Sequence, residues 1–426
     1  MYILYILLAL VVLLMMVTIH EFGHYCAGKL LHFKINEFSI GFGKSLFSRT
    51  SKKTGEIFSI RLGPLGGYCA FEGEEGNSNT ENSFEKMAPW KRLIVLAAGP
   101  LFNILSAVIF SIILLCAVGY DVPTIAKIDS VPVVQQTTYA GETLTGDEQS
   151  KFWDEIQGVV SINDSIVDEQ SVQYLSYNIK AYATQNGQDT LENSYNIKFY
   201  KNDTTQYDAA VVKVSFKTNT TIEQGDVIWK VNGTKIDFVK DNLFSSLIQR
   251  ADGDTTTLTI KRNGKLQDVQ VNLFEYGVGS SATKVIGIQS SAYRFTFFES
   301  LARAVPFTFG LAGKVLQSLW QLITGQIGFE AVGGPLTTIT TIADYTQTNF
   351  ATIFILLPLI AVNLGVFNLL PIPALDGSKM VFVTIEWIRG KPINPKVENA
   401  IYNVGFILLM ALVVIADLYH FLFVSK

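Results

Sequence analysis

An uncharged apolar run that ends in two histidines and a glutamate opens this chain, and it constrains the fold more than any other feature. Residues 2–19 carry no charged side chain, and His20, Glu21 and His24 follow at once in the order H-E-x-x-H. A charged group at the centre of a bilayer costs about 2.5–3.5 kcal/mol on insertion scales, so ionisable residues within a membrane helix are kept there for a function. We therefore interpret residues 2–28 as a membrane helix with a functional site near its end.

The spacing within this motif indicates the chemistry of the site. On a helix, H-E-x-x-H places two imidazoles on one face, where both can bind one zinc ion, and leaves the glutamate beside the metal as a general base. A match of five residues also arises by chance in unrelated sequences. Inside an apolar helix, however, two histidines need a polar partner, and a metal ion is the simplest one. The sequence thus predicts a zinc-dependent hydrolase with His20 and His24 as ligands and Glu21 as the catalytic residue.

The composition indicates a membrane core joined to a soluble insert. Hydrophobic residues make up 49% and charged residues 16% of the 426 residues. These fractions are too apolar for a typical soluble enzyme and too polar for membrane helices alone. The formal net charge is −4, so no nucleic-acid partner is expected.

Four segments are long and apolar enough to span a bilayer, and they lie at about 2–28, 91–119, 352–376 and 400–423. Lysine and arginine are concentrated after the first segment, at the start of the second and between the third and fourth. The positive-inside rule places those loops in the cytoplasm. The N-terminus, the polar region 120–297 and the C-terminus are then predicted to lie outside.

Asp376 is the candidate for a third zinc ligand. It follows Pro371 and Pro373 at the end of the third segment, and the predicted orientation puts it at the same membrane depth as the two histidines. Two imidazoles and one carboxylate provide three protein ligands and leave the fourth position for water. The alternative is that Asp376 caps a helix or begins a turn after the two prolines.

These motifs resemble the site-2 protease family of intramembrane zinc metalloproteases, and in particular its bacterial regulator-of-sigma-E type with a PDZ insert. Four segments carry the resemblance: His20–His24, Gly63–Gly73, Gly99–Asn103 and Asn363–Gly377. The resemblance implies zinc ligation by His20, His24 and Asp376, with Glu21 as general base and acid. It also implies a protease of the bacterial cytoplasmic membrane that cleaves transmembrane segments of single-span membrane proteins, such as anti-sigma factors or signal-peptide remnants.

Two further features of the family concern its substrates. Asn363 and Asn368 match asparagines that handle substrate, although hydrogen bonding between helices in lipid is an equal alternative. Phe58–Phe71 alternates like a strand around a Gly/Pro turn and resembles the β-hairpin that the family inserts beside its active site. Such a hairpin, here with Gly66, Gly67 and Tyr68 at its turn, binds an unwound peptide by strand addition, unless it is only a surface hairpin.

The segment Gly99-Pro100-Leu101-Phe102-Asn103 lies in the second membrane helix. A Gly-Pro pair is typical of close helix packing or of a kink. Asn103 either supports a metal ligand from behind or packs between helices, and the latter is the simpler interpretation.

The region 120–297 shows the alternation of β-strands. Gly225–Gly233 resembles the G-D-x-I-x-x-V-N-G strand and turn of PDZ domains, and Ser161–Asp164 repeats its last part. The sequence predicts two tandem PDZ-like modules, at about 120–212 and 213–290, or one PDZ domain with a large insertion. Residues 1–119 and 352–426 then form the two membrane halves, and 298–351 is an amphipathic connecting segment.

The expected fold is therefore a multi-pass α-helical membrane protein with four transmembrane helices, a membrane-associated β-hairpin and an extracytoplasmic β-rich insert. Two rival functions are a membrane scaffold and a metal transporter. A non-catalytic scaffold whose PDZ modules bind envelope proteins requires neither zinc nor Glu21, and the complete ligand set argues against it. A metal transporter requires polar residues along several helices, whereas here they cluster at one depth.

Overall fold

The computed structural model describes residues 2–74, 81–189, 192–237, 240–328, 330 and 332–424. The chain forms two compact units. The helical unit consists of Met1–Val118 and Phe295–Lys426, and the sheet unit consists of Gly119–Arg294.

Both units are built from regular elements, whose bounds are as follows. The α-helices are α1 (Tyr2–Leu30), α2 (Pro89–Ala117), α3 (Gly146–Asp154), α4 (Leu175–Gln185), α5 (Phe244–Gln249), α6 (Phe297–Ile323), α7 (Pro335–Thr348), α8 (Thr352–Leu369), α9 (Asp376–Arg389) and α10 (Pro395–Tyr419). The strands are β1 (Ile35–Thr50), β2 (Ile57–Phe71), β3 (Pro123–Ile128), β4 (Val131–Tyr139), β5 (Glu142–Leu144), β6 (Gly158–Ile162), β7 (Ser165–Ile166), β8 (Asn193–Tyr200), β9 (Asp208–Lys217), β10 (Val227–Val231), β11 (Thr234–Lys235), β12 (Thr255–Arg262), β13 (Lys265–Asn272), β14 (Phe274–Tyr276), β15 (Thr283–Val285) and β16 (Ile288–Ala292).

Four helices among the described residues are long and apolar enough to cross a membrane, namely α1, α2, α8 and the stretch Lys396–Phe423 that contains α10. The predicted third segment, 352–376, is too long. Its helix ends at Leu369, and Leu370 is extended, because the residue before a proline is driven out of the helical region. Asp376 therefore lies beyond the break, in the first turn of α9, and not at the end of the third membrane helix.

Glycines bring α1 and α2 into close contact. A methyl group built on Gly23 would lie 2.4 Å from the carbonyl oxygen of Ala98, so only a hydrogen fits between the two backbones at this point. Further along α2, Ser111 Oγ lies 3.0 Å from Thr308 Oγ1 of α6. The helix α6 thus contacts α2 through this buried pair of hydroxyls, while Phe298 near its start is 79% exposed.

The β-hairpin of the helical unit is formed by β1 and β2, which differs from the hairpin predicted within 58–71. Ile57–Phe71 is one arm, and its partner is Ile35–Thr50. Both strands bend sharply at glycines with positive φ, Gly41 and Gly43 in β1 and Gly66 in β2. As a result Phe38 is opposite both Cys69 and Phe58. The sequence near the Gly/Pro turn indicates a bend but cannot identify the partner strand.

The sheet unit contains two six-stranded sheets among its described residues. One has the order β5-β4-β9-β8-β6-β7, and the other has the order β13-β12-β10-β3-β16 with β11 paired to β10. Each sheet covers a separate apolar core, which includes Trp153 and Tyr195 in the first and Ile125 and Leu258 in the second.

The two sheets share a repeated local structure. In each, a strand ends in a turn with positive φ, at Asn163 and at Asn232, and a two-residue strand, a helix and a hairpin follow. The Asn163 side chain accepts a hydrogen bond from the N–H of Asn196 at 2.7 Å, and the Asn232 side chain accepts one from the N–H of Thr257 at 3.0 Å. In both sheets, an asparagine at the equivalent position of the turn thus joins that turn to the following hairpin.

The sheets divide this region differently from the boundary expected near residue 212. Strand β3, at the start of the region, pairs with β10 and β16 in the second sheet. The first sheet is therefore inserted between two parts of the second. Sequence order alone favours tandem modules, because this arrangement depends on pairing between residues about 100 to 170 positions apart.

Candidate metal centre

Three side-chain atoms from distant parts of the chain meet at one point in the helical unit. Asp376 Oδ2 lies 2.9 Å from His20 Nε2 and 3.3 Å from His24 Nε2, and the two Nε2 atoms lie 3.2 Å apart. Both histidines are buried on α1, and the carboxylate comes from the first residue of α9. All three ligand atoms lie within 4.8 Å of one another, so the structure brings together the three residues that the sequence singled out.

The spacing of these atoms fits a zinc ion. Ligand bonds of about 2.0–2.2 Å in a tetrahedron separate neighbouring ligand atoms by about 3.3–3.6 Å, close to the separations of 2.9–3.3 Å seen here. Asp376 Oδ2 is buried, and its nearest polar neighbours are the Nε2 atoms of the two histidines. Three crowded lone-pair atoms repel one another unless a cation lies between them. Two imidazoles and one carboxylate are also a donor set of catalytic zinc sites.

The main chain of α2 orients His24. The Nδ1 atom of His24 lies 2.8 Å from the carbonyl oxygen of Val95. A carbonyl only accepts hydrogen bonds, so Nδ1 carries the proton and Nε2 keeps its lone pair for a metal. The sequence contains no signal for this contact, because every residue type has the same carbonyl.

Asn103 of α2 contacts the second ring nitrogen of His20. The Asn103 amide nitrogen lies 3.2 Å from His20 Nδ1, while its Oδ1 is buried and has no hydrogen-bond partner. A half-turn of the amide pairs Oδ1 with a protonated Nδ1, satisfies the oxygen and frees the Nε2 lone pair. That orientation is the one a metal at Nε2 requires, so the contact supports the ligand from behind as well as packing α1 on α2.

Gly99 packs directly against both imidazoles. A methyl group built on it would lie 2.3 Å from His24 Nε2 and 2.9 Å from His20 Cε1. The close packing predicted for the Gly99-Pro100 pair is therefore packing against the ligands themselves, a detail that the sequence motif does not reveal.

Glu21 is next to the β-hairpin. Its carboxylate lies close to the backbone N–H of Cys69 in β2, and a methyl group on Gly67 would lie 3.7 Å from its Cγ. Of the predicted substrate residues, Gly67 is thus beside the predicted general base.

The other residues predicted to bind substrate have different surroundings. Gly66 has φ of 111°, and Tyr68 stacks on Phe42 with the ring centroids 6.1 Å apart. Asn368 donates its amide to the carbonyl of Leu364 at 2.9 Å, within its own helix. Asn363 is half-buried in α8.

Two ion pairs hold α9 in place. Lys379 lies 2.8 Å from Glu74, just after β2, and Arg92 of α2 lies 2.8 Å from Glu386, with both partners of the second pair largely buried. Charged pairs with little solvent exposure fix geometry well because breaking them leaves an uncompensated charge. They position the helix that supplies Asp376, and the sequence did not single them out.

Known proteins resemble this chain over most of its length. The sequence model of the family described as Peptidase family M50 matches residues 8–412. The chain is 27% identical over 440 residues to the regulator of sigma E protease of Haemophilus influenzae, covering 97% of each chain. It is 25% identical to zinc metalloprotease RasP of Oceanobacillus iheyensis over 94% of each chain, and 25% identical to regulator of sigma-E protease RseP of Escherichia coli over 96% of each.

Proposed function

The chain belongs to peptidase family M50, the site-2 proteases, and from this we propose that it is an endopeptidase that cleaves the transmembrane segments of single-span membrane proteins. It is a zinc metalloprotease, as its family and relatives are. The observation that carries the proposal is the convergence of His20, His24 and Asp376 within 4.8 Å. Two of these residues lie on a helix apolar enough to span a membrane.

The catalytic residue in this proposal is Glu21. When bound, zinc acts as a Lewis acid that lowers the pKa of water to about 7 and polarises a peptide carbonyl. Glu21 takes the proton from the attacking water and passes it to the leaving amine. The backbone N–H of Cys69 lies close to the Glu21 carboxylate.

Strand addition at β2 is the proposed way of presenting the substrate. A peptide bond inside a helix is wrapped by its own hydrogen bonds, so a transmembrane segment must unwind before cleavage. The stretch from Gly67 to Cys69 lies close to Glu21, and among the described residues it pairs with no strand on the side away from β1. An extended peptide added along this side would have its backbone held by main-chain hydrogen bonds beside the general base.

The sheet unit in this proposal consists of two PDZ-like modules, one inserted in the other. The G-D-x-I-x-x-V-N-G pattern covers β10 and the turn after it. In both the Asn232 turn and the Asn163 turn, the asparagine side chain accepts a hydrogen bond from a backbone N–H of the following hairpin. We place this unit and the N-terminus outside the cytoplasmic membrane of a bacterium, because the lysine-rich loops belong to the other side. The proposed substrates are anti-sigma factors or remnants of signal peptides.

The direct test is Glu21→Gln in purified, zinc-loaded protein with a single-span test substrate. We expect cleavage to fall by about 10²–10⁴-fold, because the amide cannot accept the proton from water. Glu142→Gln, at an exposed site in the sheet unit, is the matched control and should cleave like the wild type. Undiminished cleavage by Glu21→Gln would show that the mechanism is wrong.

Zinc content separates the protease from the non-catalytic scaffold. We expect about one zinc per chain in the wild type and in Glu21→Gln, and weaker binding in His24→Ala and Asp376→Ala because each loses one of three ligands. Zinc-free wild-type protein that still binds envelope proteins would favour the scaffold instead.

A further inference from the structure

A cavity of about 600 Å³ lies in the helical unit between α1 and the β-hairpin. Its walls come from Phe22 and Tyr25 of α1 and from both strands of the hairpin near their connecting turn. None of the three zinc ligands lines it. Its volume falls within the range of about 300–1,000 Å³ that is typical of small-molecule sites.

The floor of the cavity is aromatic. Phe38 lies at its centre, with its ring centroid 5.3 Å from Tyr25, 6.0 Å from Phe58 and 6.5 Å from Phe22. Phe22 and Phe58 remain 47% and 40% exposed. Large aromatic side chains that are half open to the surroundings favour an apolar ligand over water.

The rim of the cavity is cationic. Arg49, Lys52 and Lys53 line it, all three exposed. The one acid of the lining, Glu56, is already paired with Lys29. Among the residues that the structure describes, no ion pair involves any of the three rim cations. The rim therefore has a net positive charge that is free to meet an anion.

The position of the floor along α1 matches the edge of a bilayer. At 1.5 Å per residue, Phe22 lies about 30 Å from the start of α1 at Tyr2, and the hydrocarbon core of a bilayer is about 30 Å thick. A helix that enters at one boundary therefore reaches the other near Phe22 and Tyr25. The aromatic floor then lies where the acyl chains join the headgroups, and the rim lies at the level of the headgroups.

We propose that this cavity binds one anionic phospholipid, with its phosphate between Arg49, Lys52 and Lys53 and the upper part of one acyl chain against the aromatic floor. Basic pockets at the ends of membrane helices bind acidic headgroups in this way. A segment of a substrate fits the charges less well. The flank of a single-span protein on the lysine-rich side of the membrane is itself basic, and the rim repels it.

Photolabelling of the full-length, zinc-loaded protein tests the proposal. The protein is reconstituted in phosphatidylcholine nanodiscs that contain a phosphatidylglycerol with a photoreactive group on one acyl chain. We expect labelling of the peptides that contain Phe22 and Phe58, and competition by unlabelled phosphatidylglycerol but not by added phosphatidylcholine. Equal competition by the two lipids would overturn the proposal, because it would indicate an ordinary annular contact.

Paired charge variants locate the headgroup. Each lysine near an acidic headgroup changes affinity about fivefold, so Lys52→Ser combined with Lys53→Ser should weaken binding about 25-fold. The matched control is Lys44→Ser combined with Lys391→Ser. It removes two exposed lysines from the segments between membrane helices that are predicted to lie on the same side of the membrane as Lys52 and Lys53. We expect the control to change binding less than twofold, and an equal loss in both pairs would contradict a specific site.

Two further variants test the aromatic floor by itself and separate lipid binding from the protease mechanism. Phe58→Gln leaves the charges intact and should reduce labelling through the floor alone, with unchanged zinc content as evidence of folding. Glu21→Gln should bind the lipid like the wild type, so the lipid site and the protease mechanism can fail separately. Crosslinking of a single-span substrate at Phe22, insensitive to Lys52 and Lys53, would assign the cavity to substrate and overturn the proposal.

Discussion

The side chain of Asn103 lies behind His20, and its amide oxygen can accept a hydrogen bond from a protonated Nδ1, which leaves Nε2 free to bind a metal. We expect Asn103→Leu to lower zinc affinity about 10–100-fold, which is the usual effect of losing a partner behind a ligand. Asn103→Asp should retain most of the affinity, because a carboxylate accepts the same hydrogen bond from His20 Nδ1. Chelator competition measures the affinity, and the visible spectrum of the cobalt-substituted protein reports the ligand geometry independently of activity.

Asn368→Leu is the control for this prediction. Asn368 is also an asparagine on an apolar helix, but it donates to the carbonyl of its own helix at Leu364. Zinc affinity should be unchanged by its replacement. If Asn103→Asp loses as much affinity as Asn103→Leu, the residue acts by packing and not by accepting a hydrogen bond.

Among single residues, the sequence identified those whose chemistry is unusual for their surroundings. His20, His24 and Asp376 are ionisable groups in or beside apolar segments, and such groups are costly without a function. Val95 could not be identified, because it contributes only a carbonyl. Gly99 was read as a packing residue, but its contact with both imidazoles depends on how α1 and α2 cross.

Among the elements, α7 depends on a side chain from another helix. Asp417 of α10 accepts hydrogen bonds from the N–H and the hydroxyl of Thr337 at 2.9 and 2.7 Å, and from the N–H of Leu336 at 3.2 Å. A methyl group on Gly334 would lie 2.5 Å from the Asp417 carboxyl carbon. The buried carboxylate thus caps the N-terminus of α7 and joins it to the last membrane helix.

We expect Asp417→Ala to destabilise α7 by about 2–3 kcal/mol, because the first N–H groups of the helix lose a charged acceptor in a buried position. Asp417→Asn keeps an acceptor and should cost less than half as much. Asn403→Ala, at an exposed polar position of α10, is the control. Hydrogen exchange of the first turn of α7 measures the effect, and unchanged exchange in Asp417→Ala would contradict the capping role.

The sequence predicted which elements exist better than how they pair. The four apolar helices follow from hydropathy, but the predicted third segment ran through Pro371 and Pro373 to residue 376 and missed the break before α9. The partner of β2 and the interleaving of β3 with β10 and β16 did not follow, because strand pairing is set by contacts between distant residues and not by local pattern.

For the whole molecule, acid stability is predicted to depend on an ion pair in the sheet unit. Arg262 binds Asp226 through two contacts of 2.6 and 2.8 Å. Burial opposes ionisation of Asp226, but hydrogen bonds from Arg262 and from the Glu223 N–H outweigh it and hold its pKa below the usual value. The pair therefore stabilises the unit above the unfolded pKa of about 3.9, and the stabilisation is lost as pH falls through the lower folded pKa.

We expect Asp226→Asn to destabilise the sheet unit by about 1–3 kcal/mol at pH 7 and to weaken its stability loss below about pH 4. Hydrogen exchange of β12 in the full-length protein is the measurement, because two units need not unfold together. Asp252→Asn, an exposed change in the same unit, should leave both unaffected. An Asp226→Asn protein with the acid sensitivity of the wild type would exclude this pair as the cause.

The sequence by itself determined that this protein has four apolar helices, a β-rich insert and a zinc-binding motif. Charge in lipid is costly, and the spacing of H-E-x-x-H has meaning within a single helix, so both signals are local. Only the tertiary structure decided that Asp376 reaches His20 and His24 from a new helix and that Val95 and Asn103 hold the outer ring nitrogens. It also decided that one sheet is inserted in the other. These features depend on contacts between residues far apart in the chain, and such contacts arise only when the elements pack.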